Sequence, residues 1–492
     1  MVNLKAVFAN HLKGISLKIA RLFLLLSLLS WLFYTPTGLA QQGQQQGPVY
    51  IVQEGDTLWE IASRFRVSVE DLQLANNITN ANQLAVGDQL VIPGLDGVEG
   101  VLTTRQLGYG ENLLSLTRNY DIHVETLVRL NRLISPAELY SNSVLILPDA
   151  SQTISNTQRT LLAPGQSLLE LAALHRTNPW TIVNTNDLPA TWGALPGDVL
   201  LTNSLQGSEN GSAAPGALPS EIREVQLNPS RLQQGKAAVL TIASREELQL
   251  EGSFMDHDLH FFPDGNGQYI ALQGVHALAE PGIYPLDLQI TLEGEMPFEF
   301  SQMVRVAAVD YPYDEPLNVN PTTIDPAVTK PEDAQWAELT APASPERYWS
   351  GIFSIPSPFS REYCLETGEC WSSRYGNRRS YNGSPYNFFH TGLDIVGKTG
   401  TEIYAAAPGV VVFAGPLTVR GNATVIDHGW GVYTAYMHQS EILVTQGDRV
   451  EAGQLIGLIG DTGRVEGPHL HWEVWAGGVQ VDPLDWLTEE FP

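Results

Sequence analysis

Residues 50–200 repeat one short pattern three times at a fixed spacing, and this constrains the fold more than any other feature of the chain. Gly55, Gly110 and Gly165 each begin a tetrad of the form Gly-polar-polar-Leu, 55 residues apart. The same interval separates four further sets of positions: Ile61, Leu116 and Leu171; Phe65, Tyr120 and His175; Asn76, Asn131 and Asn186; Leu90, Leu145 and Leu200. A fixed period of this length predicts repeated supersecondary units.

Each repeat is predicted to form a strand, two short helices and a second strand. In the first repeat a strand at residues 50–52 precedes a turn at Gly55, and Thr57 is placed to cap a helix over residues 58–65. The apolar positions of that helix fall on one face: Leu58, Ile61, Ala62 and Phe65. Residues 69–76 predict the second helix and residues 89–93 the closing strand.

The first repeat resembles a LysM module through its segments Val52-Gln53-Glu54-Gly55-Asp56-Thr57-Leu58 and Val86-Gly87-Asp88-Gln89-Leu90-Val91-Ile92-Pro93. The resemblance implies three small α+β modules, at residues 48–94, 102–149 and 157–203, that bind glycans containing N-acetylglucosamine, such as peptidoglycan. It implies glycan contacts from five residues: Gly55, Asp56, Thr57, Asn76 and Ile78. The third repeat departs from the pattern at Pro164 and at Thr202-Asn203, so its glycan binding stays open. The alternative for each repeat is a structural spacer.

A second informative feature is a set of histidine motifs between residues 390 and 471. The motifs are His390-Thr391-Gly392-Leu393-Asp394, Tyr436-Met437-His438 and His469-Leu470-His471. A catalytic zinc ion takes three protein ligands from His, Asp, Glu or Cys and leaves a fourth position for water. The motifs supply three such ligands and two spare histidines, and the spare histidines favour an enzyme.

The spacing within these motifs suits one shared metal ion. Residues 469–475 predict a strand, since aromatic and β-branched side chains dominate them. Because strand side chains alternate faces, His469 and His471 point into one space, but the spacing does not decide which of them is a ligand. Gly392 eases the turn that would bring His390 and Asp394 onto one ion.

His438 ends an alternating run that predicts a hairpin through residues 428–431. We interpret His428, which falls in that turn, as structural, and the alternative is a supporting role beside the metal. The whole histidine set has two other interpretations, namely ordinary buried histidines and a zinc site without turnover. An ordered set with ligand-type spacing favours a working zinc site.

The three motifs, the last of them within Gly467-Pro468-His469-Leu470-His471-Trp472-Glu473, resemble the lysostaphin-type (LytM-like) zinc metalloendopeptidases, which cut peptide bridges of bacterial peptidoglycan. The resemblance implies a mostly antiparallel β domain at residues 349–492, related to biotinyl- and lipoyl-type sandwiches. It implies one zinc ion per chain, bound by His390, Asp394 and His471. It also implies that His438 and His469 are catalytic, taking a proton from water and stabilising the oxyanion or the leaving amine.

The rest of this multi-domain chain is predicted from composition and alternation. Residues 1–40 predict a secretory signal peptide cleaved after Ala40, and the alternative is an uncleaved signal anchor. Residues 204–220 predict a flexible linker rich in Gly, Ser, Ala and Pro. Residues 221–308 predict a β-sandwich similar to an immunoglobulin-like domain. Residues 309–348, rich in proline, predict a mostly extended connector.

Two smaller features have a chemical interpretation. Cys364 and Cys370 are the only cysteines, and in an exported protein they predict a disulfide that closes a small loop. The alternative is two free thiols. The segment Asp256-His257-Asp258-Leu259-His260 offers metal-binding side chains, but two histidines three apart in a strand face opposite ways, which argues against a second site.

The net charge of the chain limits the classes of partner that it could bind. The 27 basic and 54 acidic residues give a formal net charge of −27, which argues against nucleic acid, teichoic acids and acidic lipids as primary partners. We therefore expect an exported zinc endopeptidase of the periplasm or cell wall, without stable membrane insertion after signal cleavage. It would bind peptidoglycan through its LysM modules and hydrolyse peptide cross-links during wall remodelling or division. The alternatives are a non-hydrolytic regulator of other wall hydrolases and a zinc peptidase acting on other extracellular proteins.

Overall fold

The computed structural model describes residues 47–80, 84–95, 98, 100–120, 122–148, 157–203, 216–292 and 296–492. The predicted signal peptide and most of the predicted linker at residues 204–220 lie outside the described residues. The chain divides into two compact units, Met1–Leu102 and Thr103–Pro492. Within the described residues, no helix has the length and apolar character needed to cross a bilayer.

All three repeats contain the predicted strand, two helices and strand. The first has β1 (Val49–Ile51), helices Leu58–Phe65 and Val69–Asn76, and β2 (Gln89–Val91). The second has β3 (Val101–Gln106), helices Leu113–Tyr120 and Val124–Asn131, a 3₁₀ turn Pro136–Glu138, and β4 (Val144–Pro148). The third has β5 (Thr157–Leu161), helices Leu168–Leu174 and Pro179–Thr185, and β6 (Val199–Asn203). Thr57 caps its helix as predicted, in a reciprocal capping box with Glu60.

The recurring asparagine fastens the second helix of each repeat to the closing strand. The Asn76 amide donates to the carbonyl oxygens of Leu72 and Val91, both at 2.8 Å, and its own oxygen accepts the Val91 N–H at 2.6 Å. Asn131 and Asn186 make the same three bonds in their repeats. Both N–H groups of Asn76 are therefore engaged inside the module, and this structural role is enough to explain why the position recurs.

Residues 222–307 form two sheets that share one apolar core. One sheet has the order β11-β10-β14-β15-β8 and the other β12-β13-β9-β7. Their strands are β7 (Ile222–Asn228), β8 (Leu232–Gln233), β9 (Ala237–Ser244), β10 (Leu248–Phe254), β11 (His257–Asp258), β12 (Phe262–Pro263), β13 (Gln268–Gly274), β14 (Gly282–Leu292) and β15 (Phe298–Ala307). The predicted alternation of buried and exposed residues is clear along β15.

The second repeat is packed against this two-sheet region by its turn loop. The Tyr109 hydroxyl donates to the Leu286 carbonyl oxygen at 2.8 Å, and the Gly110 N–H donates to Gln302 Oε1 at 2.7 Å. Tyr109 is 3% exposed and Glu111 4%. In the first repeat the residues 55 positions earlier are Glu54, which is exposed, and Asp56, which is partly exposed. The repeats are therefore alike in fold but not in which of their surfaces remain free.

The prediction of an extended connector at residues 309–348 is wrong for residues 321–340. These contain a 3₁₀ turn, Pro321–Ile324, and a 15-residue α-helix, Pro326–Thr340. Pro326 occupies the first helical position, where an N–H is not needed, and Asp325 caps the helix through the Ala327 N–H at 2.9 Å. Pro331 costs the helix one hydrogen bond, but burial compensates because Trp336 is 0% exposed in an apolar cluster with Val425.

The C-terminal region is a ten-stranded sheet in which every described strand pair is antiparallel. Its main path is β16-β19-β26-β23-β22-β21-β24, while β20 pairs with β25, β25 with β23, and β27 with β26. The strands are β16 (Trp371–Ser373), β19 (Leu393–Val396), β20 (Glu402–Tyr404), β21 (Gly409–Pro416), β22 (Asn422–Gly429), β23 (Val432–Ile442), β24 (Arg449–Val450), β25 (Leu455–Ile459), β26 (His469–Ala476) and β27 (Val479–Val481). A separate two-stranded ribbon joins β17 (Arg378–Arg379) to β18 (Phe388–Phe389), and helices Arg361–Thr367 and Pro483–Thr488 flank the region. The predicted antiparallel β architecture is confirmed.

Three neighbouring strands of this sheet bring the histidine motifs together. Asp394 on β19 lies opposite His471 on β26, and His471 lies opposite Met437 on β23. The predicted strand at residues 469–475 and the predicted hairpin through Trp430 are confirmed. However, β23 continues past His438 to Ile442, so His438 does not end its strand.

Candidate metal centre

Three side chains converge on one point inside the domain: Asp394 on β19, His471 on β26, and His390 in the segment just before β19. His390 Nε2 lies 2.8 Å from Asp394 Oδ1 and 2.9 Å from His471 Nδ1, and His471 Nδ1 lies 2.8 Å from Asp394 Oδ1. All three residues are buried, and within the described residues this is the one group with metal-binding geometry. The residues of the segment Asp256–His260 are not part of this group.

The outer hydrogen bonds of the two histidines fix which nitrogen faces inward. The Nδ1–H of His390 donates to the Arg374 carbonyl oxygen at 2.9 Å, which leaves the Nε2 lone pair directed at the centre. His471 Nε2 lies 3.2 Å from Glu473 Oε1, so an N–H there donates to the carboxylate and Nδ1 is left as the inward acceptor. Two lone pairs and a carboxylate oxygen at 2.8–2.9 Å repel one another unless a cation lies between them. The donor set therefore fits a zinc ion.

The pKa shifts of His390 and Asp394 agree with this interpretation, while for His471 burial is outweighed by contacts with Asp394 and Glu473, which raise its pKa. Burial, and next to it the Arg379 charge, lower the pKa of His390 to about 4, so the ring is neutral at pH 7. Burial raises the pKa of Asp394, but the contacts with His390 and His471 outweigh it and hold the pKa well below the usual range. The other carboxylate oxygen of Asp394 accepts the Arg379 Nη2–H at 2.8 Å.

The two remaining histidines of the set lie beside the centre with one nitrogen free. His438 Nδ1 donates to the Thr462 carbonyl oxygen at 2.8 Å, and His469 Nδ1 donates to that of Gly467 at 2.9 Å. Their ring centroids are 5.0 Å apart, and His469 Nε2 is 3.5 Å from Asp394 Oδ1. Burial, with His469 and His471 nearby, holds the pKa of His438 well below its usual value. Neither Nε2 is engaged in a hydrogen bond within the described residues.

A β-bulge, which sequence reasoning missed, places the His438 ring. Between the pairs Thr424–Tyr436 and Asn422–Gln439, Met437 and His438 of β23 stand opposite the single residue Ala423 of β22. His438 has a φ of 62°, in the left-handed region that non-glycine residues rarely adopt. The bulge breaks the alternation of β23, so a strand period alone could not have given the direction of this side chain.

Other residues that support the centre were also missed. Glu473 is 2% exposed, and its pKa is lowered to about 2 because the contacts with His471 outweigh the effect of burial. It also accepts the indole N–H of Trp475 at 2.9 Å and that of Trp336 at 3.3 Å. The sequence did contain a signal for Glu473, because residues 469, 471 and 473 lie on the same face of the predicted strand. No local signal identified Arg379 or Trp336.

The connector helix also holds the loop behind His438. The Glu332 carboxylate accepts the backbone N–H groups of residues 418, 419 and 420 at 2.9–3.0 Å. The carbonyl oxygen of Arg420, in turn, accepts the His438 N–H at 3.1 Å. Helix Pro326–Thr340 is therefore linked to two strands of the centre, to β26 through Trp336 and to β23 through this loop.

His428 is remote from this chemistry. Its ring is fully buried, with Nδ1 at 2.7 Å from the Pro408 carbonyl oxygen and Nε2 at 2.7 Å from Thr434 Oγ1. Burial lowers its pKa to about 4. Its described contacts are with the domain core, as the structural interpretation predicted. Cys364 and Cys370 are joined by a disulfide between helix Arg361–Thr367 and β16.

An antiparallel β domain with a His-Asp-His donor set and two free imidazole nitrogens beside it defines a metallohydrolase type of centre. Comparison with known families agrees: residues 388–483 match peptidase family M23, and residues 50–93 and 108–148 match the LysM domain. The chain therefore contains an M23 peptidase domain together with LysM domains. Peptidases of family M23 are zinc-dependent.

Curated proteins share part of the sequence. The peptidoglycan DD-endopeptidase ShyA of Vibrio cholerae is 42% identical over 131 residues, which cover 27% of this chain and 30% of ShyA. The DD-carboxypeptidase/endopeptidase Mpg of Neisseria meningitidis is 44% identical over 95 residues, or 19% of this chain and 22% of Mpg. The chain thus spans less than a third of the length of either relative. Among solved structures, the catalytic domain of lysostaphin from Staphylococcus simulans is 28% identical, with 32% of this chain and 98% of that chain covered and a TM-score of 0.20.

Proposed function

We propose that this chain is a zinc-dependent endopeptidase that hydrolyses peptide cross-links of peptidoglycan. The observation that carries the proposal is the set of three inward-facing acceptors beside two histidines with free Nε2 atoms. The M23 match supports a peptidase, and the names of the two relatives favour D,D bonds of peptidoglycan as the substrate.

In this proposal His390, Asp394 and His471 hold the zinc ion. When bound, zinc supplies a Lewis acid that polarises the scissile carbonyl and activates water. His438, which burial keeps neutral, accepts the proton of the attacking water at Nε2 and passes it to the leaving amine. His469 donates its Nδ1–H to the Gly467 carbonyl oxygen, so it would stabilise the developing oxyanion as an imidazolium, with a second proton at Nε2 to donate.

Substitution of His438 tests this mechanism. His438→Ala in the full-length protein is expected to lower the release of peptide fragments from isolated peptidoglycan sacculi by about 10²–10⁴-fold, because a proton acceptor is lost. Product analysis by mass spectrometry identifies the cut bond. His260→Ala, which removes an exposed histidine of the two-sheet region, serves as control and should leave the rate unchanged.

Equal fragment release by wild type and His438→Ala would contradict the enzymatic proposal. If neither protein releases fragments but both bind sacculi, the non-hydrolytic regulator is the better function. A chelator should abolish release by the wild-type protein, since the ion is required for the chemistry.

We also propose that the first module targets the chain to glycan, with contacts from Gly55, Asp56, Thr57 and Ile78. The LysM match supports this, as does the exposure of the loop at Gly55. Asp56 is held rigidly in that loop, because it accepts the Tyr50 hydroxyl at 2.7 Å and pairs with Arg64 at 3.0 Å. Residues 157–203 are proposed as a third module, residues 221–308 as an immunoglobulin-like sandwich, and the chain as exported to the cell envelope.

The turn loop is exposed in the first module and buried in the second, and a matched pair of variants tests whether this difference affects glycan binding. Ile78→Asp is expected to reduce co-sedimentation of the full-length protein with insoluble peptidoglycan several-fold, since it places a charge in the proposed glycan surface. Leu133→Asp, 55 residues further on, should have little effect because the turn loop of its module, residues 109–111, is already buried against the two-sheet region. Equal losses for both variants would contradict this assignment.

A further inference from the structure

A side chain from outside the matched peptidase domain contacts residues that surround the candidate metal centre. Asp314, in the first half of the connector, lies 74 residues before the first matched position, Phe388. Its carboxylate accepts the Ser373 hydroxyl at 2.9 Å and the Asn377 amide at 2.7 Å, and it pairs with Arg379 Nε at 3.4 Å. One carboxylate thus joins three residues of the segment that leads into the first metal-binding motif.

Two of those three residues touch the proposed ligands directly. Arg379 Nη2 donates to Asp394 Oδ2 at 2.8 Å, and Ser373 Oγ lies 3.2 Å from His390 Nδ1. The Arg379 side chain is 13% exposed, and burial of its charge is compensated by Asp394. Asp314 therefore acts on two of the three ligands, each through one intervening side chain.

The connector backbone fixes Asp314 in this position. The Asp314 N–H donates to the Arg378 carbonyl oxygen at 3.0 Å, and the Arg378 N–H donates to that of Pro312 at 2.7 Å. The Tyr386 hydroxyl donates to the Asp314 carbonyl oxygen at 2.9 Å. The Asp314 backbone is held by hydrogen bonds on both sides, and its carboxylate oxygens interact with three donors. The carboxylate is therefore fixed in position beside the candidate metal centre.

The charge of Asp314 matters because a cation must bind beside a buried arginine. Arg379 alone repels a divalent ion at the centre, and Asp314 offsets that charge at Nε while Asp394 contacts Nη2. Asp314, Asp394 and Glu473 with Arg379 have a formal sum of −2, which balances a zinc ion. Without Asp314 the sum is −1, and Arg379 is left to compete with the metal for Asp394.

We propose that Asp314 is a positioning residue of the metal centre, which orients Asp394 through Arg379 and His390 through Ser373 and raises the affinity for zinc. The inference rests on the proposed function, because it takes His390, Asp394 and His471 as the zinc ligands. It extends the centre beyond the matched domain, so the connector is part of the functional site.

Zinc affinity of the full-length protein, measured by competition with a chelating dye, tests this. Asp314→Asn keeps the size of the side chain and removes its charge, and it is expected to weaken zinc binding about 10–100-fold, the range typical when partners of metal ligands are lost. Asp314→Ala should weaken it at least as much, and Asp314→Glu should restore part of the affinity. Glu315→Gln, a neighbouring carboxylate that also lines the cleft, should stay within about twofold of wild type.

The melting temperature of the zinc-free protein separates positioning from general support of the fold. A structural role alone would lower that temperature and leave zinc affinity unchanged, whereas the proposal expects the affinity of Asp314→Asn to fall at near-wild-type zinc-free stability. Wild-type zinc affinity in both the Asn and Ala variants, or an equal loss in Glu315→Gln, would overturn the inference. If wild type itself binds no zinc, or if His390→Ala binds it as well as wild type, it is the proposed function that fails.

Discussion

Removing zinc is expected to lower the melting temperature of the wild-type C-terminal region by roughly 10 °C. An ion present at about 1,000 times its dissociation constant adds about 4 kcal/mol of stability, and a domain of this size shifts by about 2–4 °C per kcal/mol. The effect is large because the three inward-facing acceptors of His390, Asp394 and His471 repel one another when no cation separates them. Calorimetry with and without a chelator measures the shift.

His390→Ala should abolish this response to the chelator, since one of three ligands is gone. The matched control is His428→Ala, which removes another fully buried histidine of the same sheet whose contacts are Pro408 and Thr434. That variant should be destabilised by a cavity, yet keep the full difference between zinc-loaded and chelated protein. A chelator response in His390→Ala equal to that of wild type would show that the ion binds elsewhere.

Gly392→Ala is expected to disrupt the centre although alanine adds a single methyl group. A Cβ at this position would lie 2.3 Å from the Trp472 carbonyl oxygen and 3.0 Å from His471 Nε2. Those atoms belong to β26, which pairs with β19 at the ligand register. The strands must separate, and we expect a loss of about 1–3 kcal/mol of stability together with at least a tenfold loss of zinc affinity.

A glycine elsewhere in the sheet provides the control for that substitution. A Cβ added to Gly415 on β21 would meet the Phe413 ring at 3.5 Å, an ordinary contact, so Gly415→Ala should leave zinc affinity unchanged. Isothermal titration of both variants with zinc compares them. Normal zinc binding by Gly392→Ala would mean that β19 and β26 can separate without moving the ligands.

The sequence correctly indicates that Gly392 is important, but the predicted turn is only part of the reason. The sequence suggested a flexible turn between His390 and Asp394, but the backbone of Gly392 is not in the left-handed region. The requirement comes from the close approach of Trp472, a residue 80 positions later in the chain. A contact between distant segments leaves no mark in the local pattern.

The other features of the site also divide into those that a local sequence pattern predicts and those that depend on contacts between distant segments. Local patterns were enough for the strand at His469 and His471 and for the repeated modules, because periodicity and capping are properties of neighbouring residues. They were not enough for the bulge at His438, for Arg379 or for the helix Pro326–Thr340, which depend on tertiary packing. Prolines indicated an extended connector, yet burial of Trp336 outweighed the lost hydrogen bond.

The docked connector has a consequence for how this protein could be divided into fragments. A fragment that begins at Trp349, the predicted start of the peptidase domain, keeps every residue of the M23 match but loses Asp314, Glu332 and Trp336. It would expose the apolar surface around Tyr433 and Met437 that Trp336 covers, and would free the loop behind His438. A fragment that keeps these contacts has to begin before Pro312, and chimeras joined at the family boundary would keep the proposed ligands but lose the side chains that position them.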